Sequence, residues 1–554
     1  MNGQSRVAKR LSGKCVGVST IALISAISAY GATAAEIDTG SNVKIRWDNT
    51  FKYSVGTRVA GSDSAIGDNP TSVHALNQND GDRSFKRWSL TSNRADLLSE
   101  FNASIQGFGV RISGAAWYDD VYQHSHANVP AQLYNAPGAT DSFTDGARIH
   151  QGQNAELQDA FLFGKVAVGE VPVRFRAGRH TLLWGESLFL ASNGIAYGQA
   201  PIDAAKATSV PNTQAKEVFM PVGQLSVQVQ PTEALSIEAY WQPEWRPVRL
   251  SPAGTFFSTS DFLGKGGERM LVPGYAPGIF PLNNLWLGRG KDIRPSSITD
   301  QMGLAVKYSV DSIGVDLGLY ALQYDDKGPQ IYGHLSPGFP FTPLGDYQVA
   351  YAQDVRMYGV SASTQVGDWN VGGEVSYRQN TPLISGDRGV MIGVPVNADG
   401  GDNRQFATGD SLHAQVSGIL LLGPTALWDG GTVLGEIGGH RRVSVDRNLA
   451  ALDLTRSRQA FGARAVFEPA FFQVFPGVDM SVPLSFGHTI GESPVDMGFN
   501  NGAPDRGGDV SIGVKADYEK TWFVSANYTH YYGGTDQQFL LGHDFISLSV
   551  QRTF

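Results

Sequence analysis

Asp509-Val510-Ser511-Ile512-Gly513-Val514-Lys515-Ala516-Asp517-Tyr518-Glu519 sets apolar side chains at 510, 512, 514, 516 and 518, and polar ones at 509, 511, 515, 517 and 519. Successive side chains of a strand point to opposite faces, so this segment has one greasy face and one wet face. After the tight turn Glu519-Lys520-Thr521, Trp522, Val524, Ala526 and Tyr528 repeat the pattern against Ser525, Asn527 and Thr529. Ile546, Leu548, Val550 and Phe554 form one face of a last strand ending on the terminal residue. One such strand also suits a soluble sheet; repetition along the chain decides between them.

Working outward, similar segments fall near Val43–Val55, Ala95–Ile105, Phe108–Asp119, Glu156–Val168, Val171–His180, Val222–Val229, Leu235–Trp241 and Met302–Tyr308. Val315–Tyr324, Val355–Thr364, Trp369–Tyr377, Leu412–Leu422, Thr432–His440, Arg458–Phe467 and Val478–Phe486 complete the series. Each is near the ~9–11 residues of a tilted membrane strand. Short joins at Gln106-Gly107, Gly169-Glu170, Pro231-Thr232, Asp311-Ser312, Gly367-Asp368 and Glu519-Lys520 alternate with long Gly/Pro/Asn-rich stretches. Outer-membrane barrels have short periplasmic turns and long outer loops, whereas a soluble sandwich has no reason to sort its loops. The expected fold is all-β: a transmembrane antiparallel barrel of the outer membrane with about 18 strands (range 14–18). Its strand number is even and both termini are periplasmic.

Composition agrees. Sixty-six glycines, 10% aromatic and only 17% charged residues suit a membrane barrel, and no apolar run is long enough for a spanning helix. Arg6, Lys9, Arg10 and Lys14 precede the small, apolar run Cys15–Tyr30 and Ala32-Thr33-Ala34-Ala35, which reads as a secretory signal over residues 1–35. Cys15 leaves with it, so residues 36–554 form a single cysteine-free barrel domain. The net charge of −9 grows more negative by four once the leader is gone, which argues against nucleic-acid binding.

The end of the chain resembles the carboxyl-terminal signal read by the barrel-insertion machinery, with Arg552 where that pattern usually has an aromatic or apolar residue. Three further stretches carry a resemblance to one family: Asn79-Asp80-Gly81-Asp82-Arg83 followed by Ser92–Glu100; Ala115-Ala116-Trp117-Tyr118-Asp119; and Gly178-Arg179-His180 with Leu183-Trp184-Gly185-Glu186-Ser187. Pro201-Ile202-Asp203, Glu217–Val222 and Phe256–Phe262 extend it. Together they resemble large proteobacterial outer-membrane proteins defined only as a domain of unknown function. The resemblance implies a gene neighbourhood with a periplasmic lipoprotein-sorting-like carrier and an RND-type exporter, and hence handling of a lipid or other hydrophobic compound. It implies no catalytic residues and no cofactor.

If the apolar rows face lipid, the lumen receives Lys44, Arg46, Asp48, Arg174, Arg176, Glu238, Lys307, Asp316, Glu374, Arg378, Glu436, Arg464, Asp479, Lys515 and Asp517. A charge on the lipid face costs about 2–4 kcal/mol at mid-membrane. These residues are either a translocation path, with Arg174 and Arg176 as a basic rung, or ion pairs that brace the lumen. Residues Leu182–Lys216 hold Leu183, Trp184, Leu188, Phe189 and Leu190, too apolar for a free outer loop. They form a plug or constriction, with Arg179, Trp184, Glu186 and Phe189 at the path, or else pack on the rim. Phe256, Phe257, Phe262, Phe280 and Trp286 crowd another outer loop, and Leu335, Phe339, Phe341 and Leu344 a third. They form either a capture surface for a hydrophobic molecule or a packed interior.

Asn77-Gln78-Asn79-Asp80-Gly81-Asp82 and Asn397-Ala398-Asp399-Gly400-Gly401-Asp402 offer closely spaced oxygens for calcium, or polar turn chemistry, without EF-hand spacing. His124 and His126 have no evident third ligand, and Gly185-Glu186-Ser187 is not a G-x-S-x-G elbow. The expected function is a non-enzymatic outer-membrane channel for a hydrophobic or amphipathic small molecule, embedded in outer-membrane lipid. A general diffusion porin and a lipid hydrolase using Ser187 and His180 are the alternatives.

Overall fold

The computed structural model describes residues 35–38, 42–62, 76–127, 129, 134–211, 213, 215–272, 285–295, 299–337, 343–534 and 539–554. Residues 1–34 of the proposed leader, Phe280, Phe339 and Phe341 lie outside them, and Ala35 opens a short strand, Ala35–Asp38.

An antiparallel sheet of 18 strands closes on itself. The first barrel strand, Val43–Arg58, pairs on one side with Leu90–Ile105 and on the other with the last, Phe545–Thr553, in register from Thr50 opposite Thr553 to Arg58 opposite Phe545, and its beginning pairs with the short Ala35–Asp38. Phe554 extends this seam: its N–H donates to the Asn49 carbonyl and its carbonyl accepts from the Asn49 N–H, each at 2.8 Å. Five segments have the bounds read from sequence: Phe108–Asp119, Val171–His180, Val222–Val229, Leu235–Trp241 and Val315–Tyr324. Many others run further, as in Gln153–Val168, Trp369–Pro382 and Thr408–Leu422. The segment near Val478–Phe486 is split into Val478–Ser481 and Leu484–Ile490. Pro483 interrupts it because proline donates no ladder hydrogen bond.

Parity sorts the two faces. Leu162, Leu319, Val416, Ile437 and Leu548 project outward and are exposed, while Ser361, Glu374, Gln415, Ser417 and Glu436 project inward and are buried. An apolar outer wall around a polar lumen is the arrangement of a transmembrane barrel. A bulge between Ile112 and Gly114 adds a residue to the facing strand, so outward positions pass from Ala155 and Leu157 to Ala160, Leu162 and Val166. The extra residue turns Asp159 inward, where its Oδ2 accepts from Arg111 Nε at 3.0 Å. Arg552 sits in the outward row opposite Phe51, at the end of the seam, with its guanidinium 5.0 Å over the Trp522 ring. This cover, with a charge carried to the strand end, explains how the row tolerates a cation.

The described parts of the long loops pack into a cap at one end of the barrel. Within it Val390–Ile392, Gln330–Leu335, Gly345–Ala350, Trp286–Arg289 and Arg269–Leu271 form a small mixed sheet.

Candidate functional site

The site is the lumen. Much of its wall is braced by ion pairs: Arg111 with Glu100 at 2.5 Å and Asp159 at 3.0 Å, Lys307 with Glu238 at 3.1 Å, Lys515 with Glu468 at 3.0 Å, and Arg464 with Asp509. One strip differs. Phe161, Phe163 and Lys165 face the lumen beside Arg174 and Arg176, with Lys165 directly opposite Arg174 and Phe163 opposite Arg176. The Arg176 guanidinium lies 5.9 Å over the Phe161 ring. Among the described residues neither arginine nor Lys165 has a carboxylate partner. Like charges directly opposite across two strands destabilise the pair, so this strip favours an anion.

Arg179 belongs elsewhere. It lies in the outward row at the cap end of its strand, where Nε donates to the Pro221 carbonyl at 3.2 Å and the guanidinium is 3.7 Å from Glu244. Strand parity carries it away from the path expected for it.

The described residues of 181–221 fold into the barrel rather than along its rim. Two buried carboxylates hold the segment by its backbone. Glu374 accepts from the Glu186 N–H at 2.6 Å and the Ile195 N–H at 2.8 Å. Glu436 accepts from Leu188, Phe189 and Leu190 at 3.2, 2.5 and 2.6 Å. Arg378 donates to the carbonyls of Ser192, Asn193 and Gly194. The Asn193 carboxamide oxygen accepts from Nδ1 of both His413 and His440 at 3.0 Å, while its nitrogen donates to Ala414, Gln415 and Gly439. From the cap, Lys327 donates to the Gly198 carbonyl at 3.0 Å and Asp326 accepts from the Tyr197 hydroxyl at 2.9 Å. Burial lowers the Lys327 ammonium to about 8 despite the charges of Asp326 and Asp325 beside it.

The wall is cut to receive this segment. A Cβ on Gly303 would stand 2.9 Å from the Trp184 ring, on Gly359 2.8 Å from Ile195, on Gly372 3.0 Å from Glu186 and on Gly438 3.0 Å from Leu190. Trp184, expected to line the path, is an anchor instead: it is buried among Tyr240, Tyr320 and Met357, and its indole donates to Glu238 at 2.8 Å. Glu186 and Leu188 are at the tip and face a cavity of about 500 Å³ whose wall includes Asp316, Ser363, Asn370 and Ser417. Phe189 is half-buried, fixed through its backbone on Glu436. The return half carries a short helix, Ala204–Ser209, capped by Asp203. Arg249 ties Asp203 at 2.9 Å to Glu156 of the wall at 2.8 Å. Sequence reading placed Glu374, Arg378 and Glu436 in the lumen but missed their role as anchors; inward-facing glycines beside them were the available signal.

The described aromatic side chains of the long loops at 256–262 form packed interiors. Phe256 and Phe257 are buried with Phe85, Tyr122 and Phe143, and Phe262 is buried with Met270, Leu287 and Tyr347. Their apolar surface is used between loops, which removes the capture surface expected of them. Trp286 is half-buried beneath the Arg269 guanidinium at 4.5 Å. His180 Nε2 is 2.9 Å from Ser226 Oγ, whereas Ser187 Oγ has no hydrogen-bond partner among the described residues, so the pair needed for a hydrolase is not assembled. The loop at 397–402 is turn chemistry: Asp399 Oδ1 accepts from the backbone N–H of Gly401 and of Asn403, each at 2.8 Å. Among the described residues no three His, Cys, Asp or Glu side chains converge as metal ligands.

No curated protein matches the sequence. Among solved structures, the chain is similar to OpdK of Pseudomonas aeruginosa, crystallised with vanillate, at 10% identity and a TM-score of 0.41, covering 94% of this chain and 100% of that one. It is also similar to the outer membrane channel DcaP of Acinetobacter baumannii, at 11% identity and a TM-score of 0.37, covering 94% and 100%. The profile of one family matches residues 16–554, and the chain belongs to that family, described as proteins of unknown function (DUF1302).

Proposed function

We propose that this protein is an outer-membrane channel for small amphipathic molecules that carry an anionic group, with residues 181–221 as its constriction. The apolar outer wall supports residence in lipid, since a soluble chain does not leave so large an apolar band in water. Sorting of short turns and long loops supports periplasmic termini. The observation that carries the substrate class is the lumenal strip in which Phe161 and Phe163 adjoin Lys165, Arg174 and Arg176. Rings offer a surface for an apolar tail, and three cations with no carboxylate partner among the described residues offer one for a carboxylate or phosphate head. A periplasmic lipid-carrier protein and an RND-type exporter are the partners that suit such a cargo.

The test is current through the purified barrel in planar bilayers, with decanoate and decanol as blockers. Decanoate should block at lower concentration than decanol. In the Arg174→Ala/Arg176→Ala variant its apparent affinity should fall about 10- to 100-fold, given roughly 1.5–3 kcal/mol for a hydrogen bond to a charged group. Decanol block should not change. Equal affinities for the two blockers, or a variant that binds decanoate normally, would remove the anionic-cargo reading. Large steady openings unchanged by deletion of 182–216 would instead favour a general diffusion porin.

A further inference from the structure

The geometry points to a calcium site in the cap, where Asp80, Asp261 and Asn135 bring together three outer loops. It is independent of the cargo proposed above.

The three residues form a hydrogen-bonded knot. The Asp80 N–H donates to Asp261 Oδ2 at 3.0 Å, and the Asn135 N–H donates to Asp80 Oδ2 at 3.1 Å. The Asn135 amide nitrogen is engaged by Asn77 Oδ1 at 2.6 Å and the Arg269 carbonyl at 3.0 Å, which fixes the orientation of the carboxamide. Asn77 in turn holds Leu271 through both its backbone groups. Each residue of the trio is at least 98% buried, and among the described residues each keeps one side-chain oxygen, Oδ1, with no hydrogen-bond donor. Gly81 lets the loop approach so closely that a Cβ there would stand 2.3 Å from the Thr255 carbonyl.

Buried oxygens without donors are costly, and two neighbouring buried carboxylates more so. Burial pushes both acids up, Asp261 to about 7 against the backbone N–H groups of Asp80, Asn79 and Gly254, and the charge of Asp261 raises Asp80 further, while the Asn135 N–H and Arg83 offset only part of this. A hard divalent cation removes both penalties at once. Two carboxylate oxygens and a carboxamide oxygen are the ligands calcium prefers, with its remaining positions open to backbone carbonyls or water. Asn135, 55 residues from Asp80 in sequence, is the informative member. A proton shared by two acids requires no third oxygen, whereas a calcium ion does. Filling the site would lock residues 76–85, 134–136 and 254–271 into one unit.

The experiment uses the full-length barrel in detergent, stripped with EDTA, and calcium chloride alone as probe. Isothermal titration should give one saturable site, with a dissociation constant of about 10⁻⁴–10⁻³ M as in extracellular calcium modules. Asp261→Asn should weaken it about ten-fold or more, while Asp402→Asn should leave it unchanged. Should Asp261→Asn fail to fold, hydrogen exchange on the wild-type chain locates the ion. Calcium should protect 76–85 and 254–262 and leave 397–403 untouched. Absence of saturable binding, full binding by a folded Asp261→Asn variant, or protection confined to other segments would each overturn the assignment. So would stabilisation of the cap by acid with no response to calcium, the signature of a shared proton.

Discussion

Replacing Glu374 and Glu436 together by leucine is expected to raise single-channel conductance several-fold while leaving the barrel folded. The two carboxylates accept five backbone N–H groups of the segment 186–195, and both are buried. Hydrogen bonds to an ionised acceptor contribute about 1.5–3 kcal/mol each. Leucine accepts none, and five N–H groups facing an apolar wall would carry the desolvation cost instead. The segment is therefore expected to leave the wall for water, and a barrel of about 18 strands without a filler encloses an aqueous channel. Conversion of Glu436 alone to glutamine is the graded control. The carboxamide keeps one accepting oxygen of the two, so a partial rise is expected with more frequent closures. Resistance of the barrel to detergent unfolding on gels should match the parent, because strand pairing is untouched. A double variant with the parent's conductance would mean that Glu374 and Glu436 do not hold the constriction.

The legible part of this molecule is the part with a period. Val171–His180 and Val315–Tyr324 were readable to the residue because alternation begins at one turn and stops at the next loop. Where the period slips, reading slips with it. The bulge opposite Ile112 changes the inward parity of Gln153–Val168, and nothing local in Glu156–Phe161 announces it. Arg179 shows the converse, since its outward position follows from parity already visible in the sequence. The cap was opaque for a different reason. Strands of three to six residues, some paired in parallel between distant loops, carry no periodicity, so Phe256 and Phe262 read as exposed grease rather than as a core. Side-chain anchors are equally silent: Glu374 meets Glu186 across 188 residues, and Asp261 meets Asp80 across 181. The glycines at 303, 359, 372 and 438 were the exception. Each occupies an inward position where alternation calls for a polar side chain, and each marks a place where another segment comes close.

Arg58→Ala is expected to be the most destabilising single substitution outside the lumen. Arg58 ends the first barrel strand at the cap end of the seam and is fully buried. Its guanidinium pairs with Asp82, donates to the carbonyls of Asp82 at 2.5 Å, Phe85 at 2.7 Å and Gly542 at 2.7 Å, and lies 5.8 Å over the Phe256 ring. One side chain thus joins the first loop, the last loop and the seam between first and last strands. Alanine leaves a buried carboxylate and several carbonyls without their donor, and breaking a buried pair from one side costs about 3–5 kcal/mol. The loss falls on the cap, because the ladder from Thr50 to Thr57 does not depend on Arg58. Hydrogen exchange should therefore accelerate roughly a hundred- to a few-thousand-fold in residues 80–85 and 540–544, with little change in the strands. Arg58→Lys keeps the charge but not the planar fork, so it should recover only part of the protection. Asp82→Asn, which preserves shape and one accepting oxygen, should cost less than Arg58→Ala. Exchange in 80–85 within about two-fold of the parent would show that the cap is held at the seam by something other than this guanidinium.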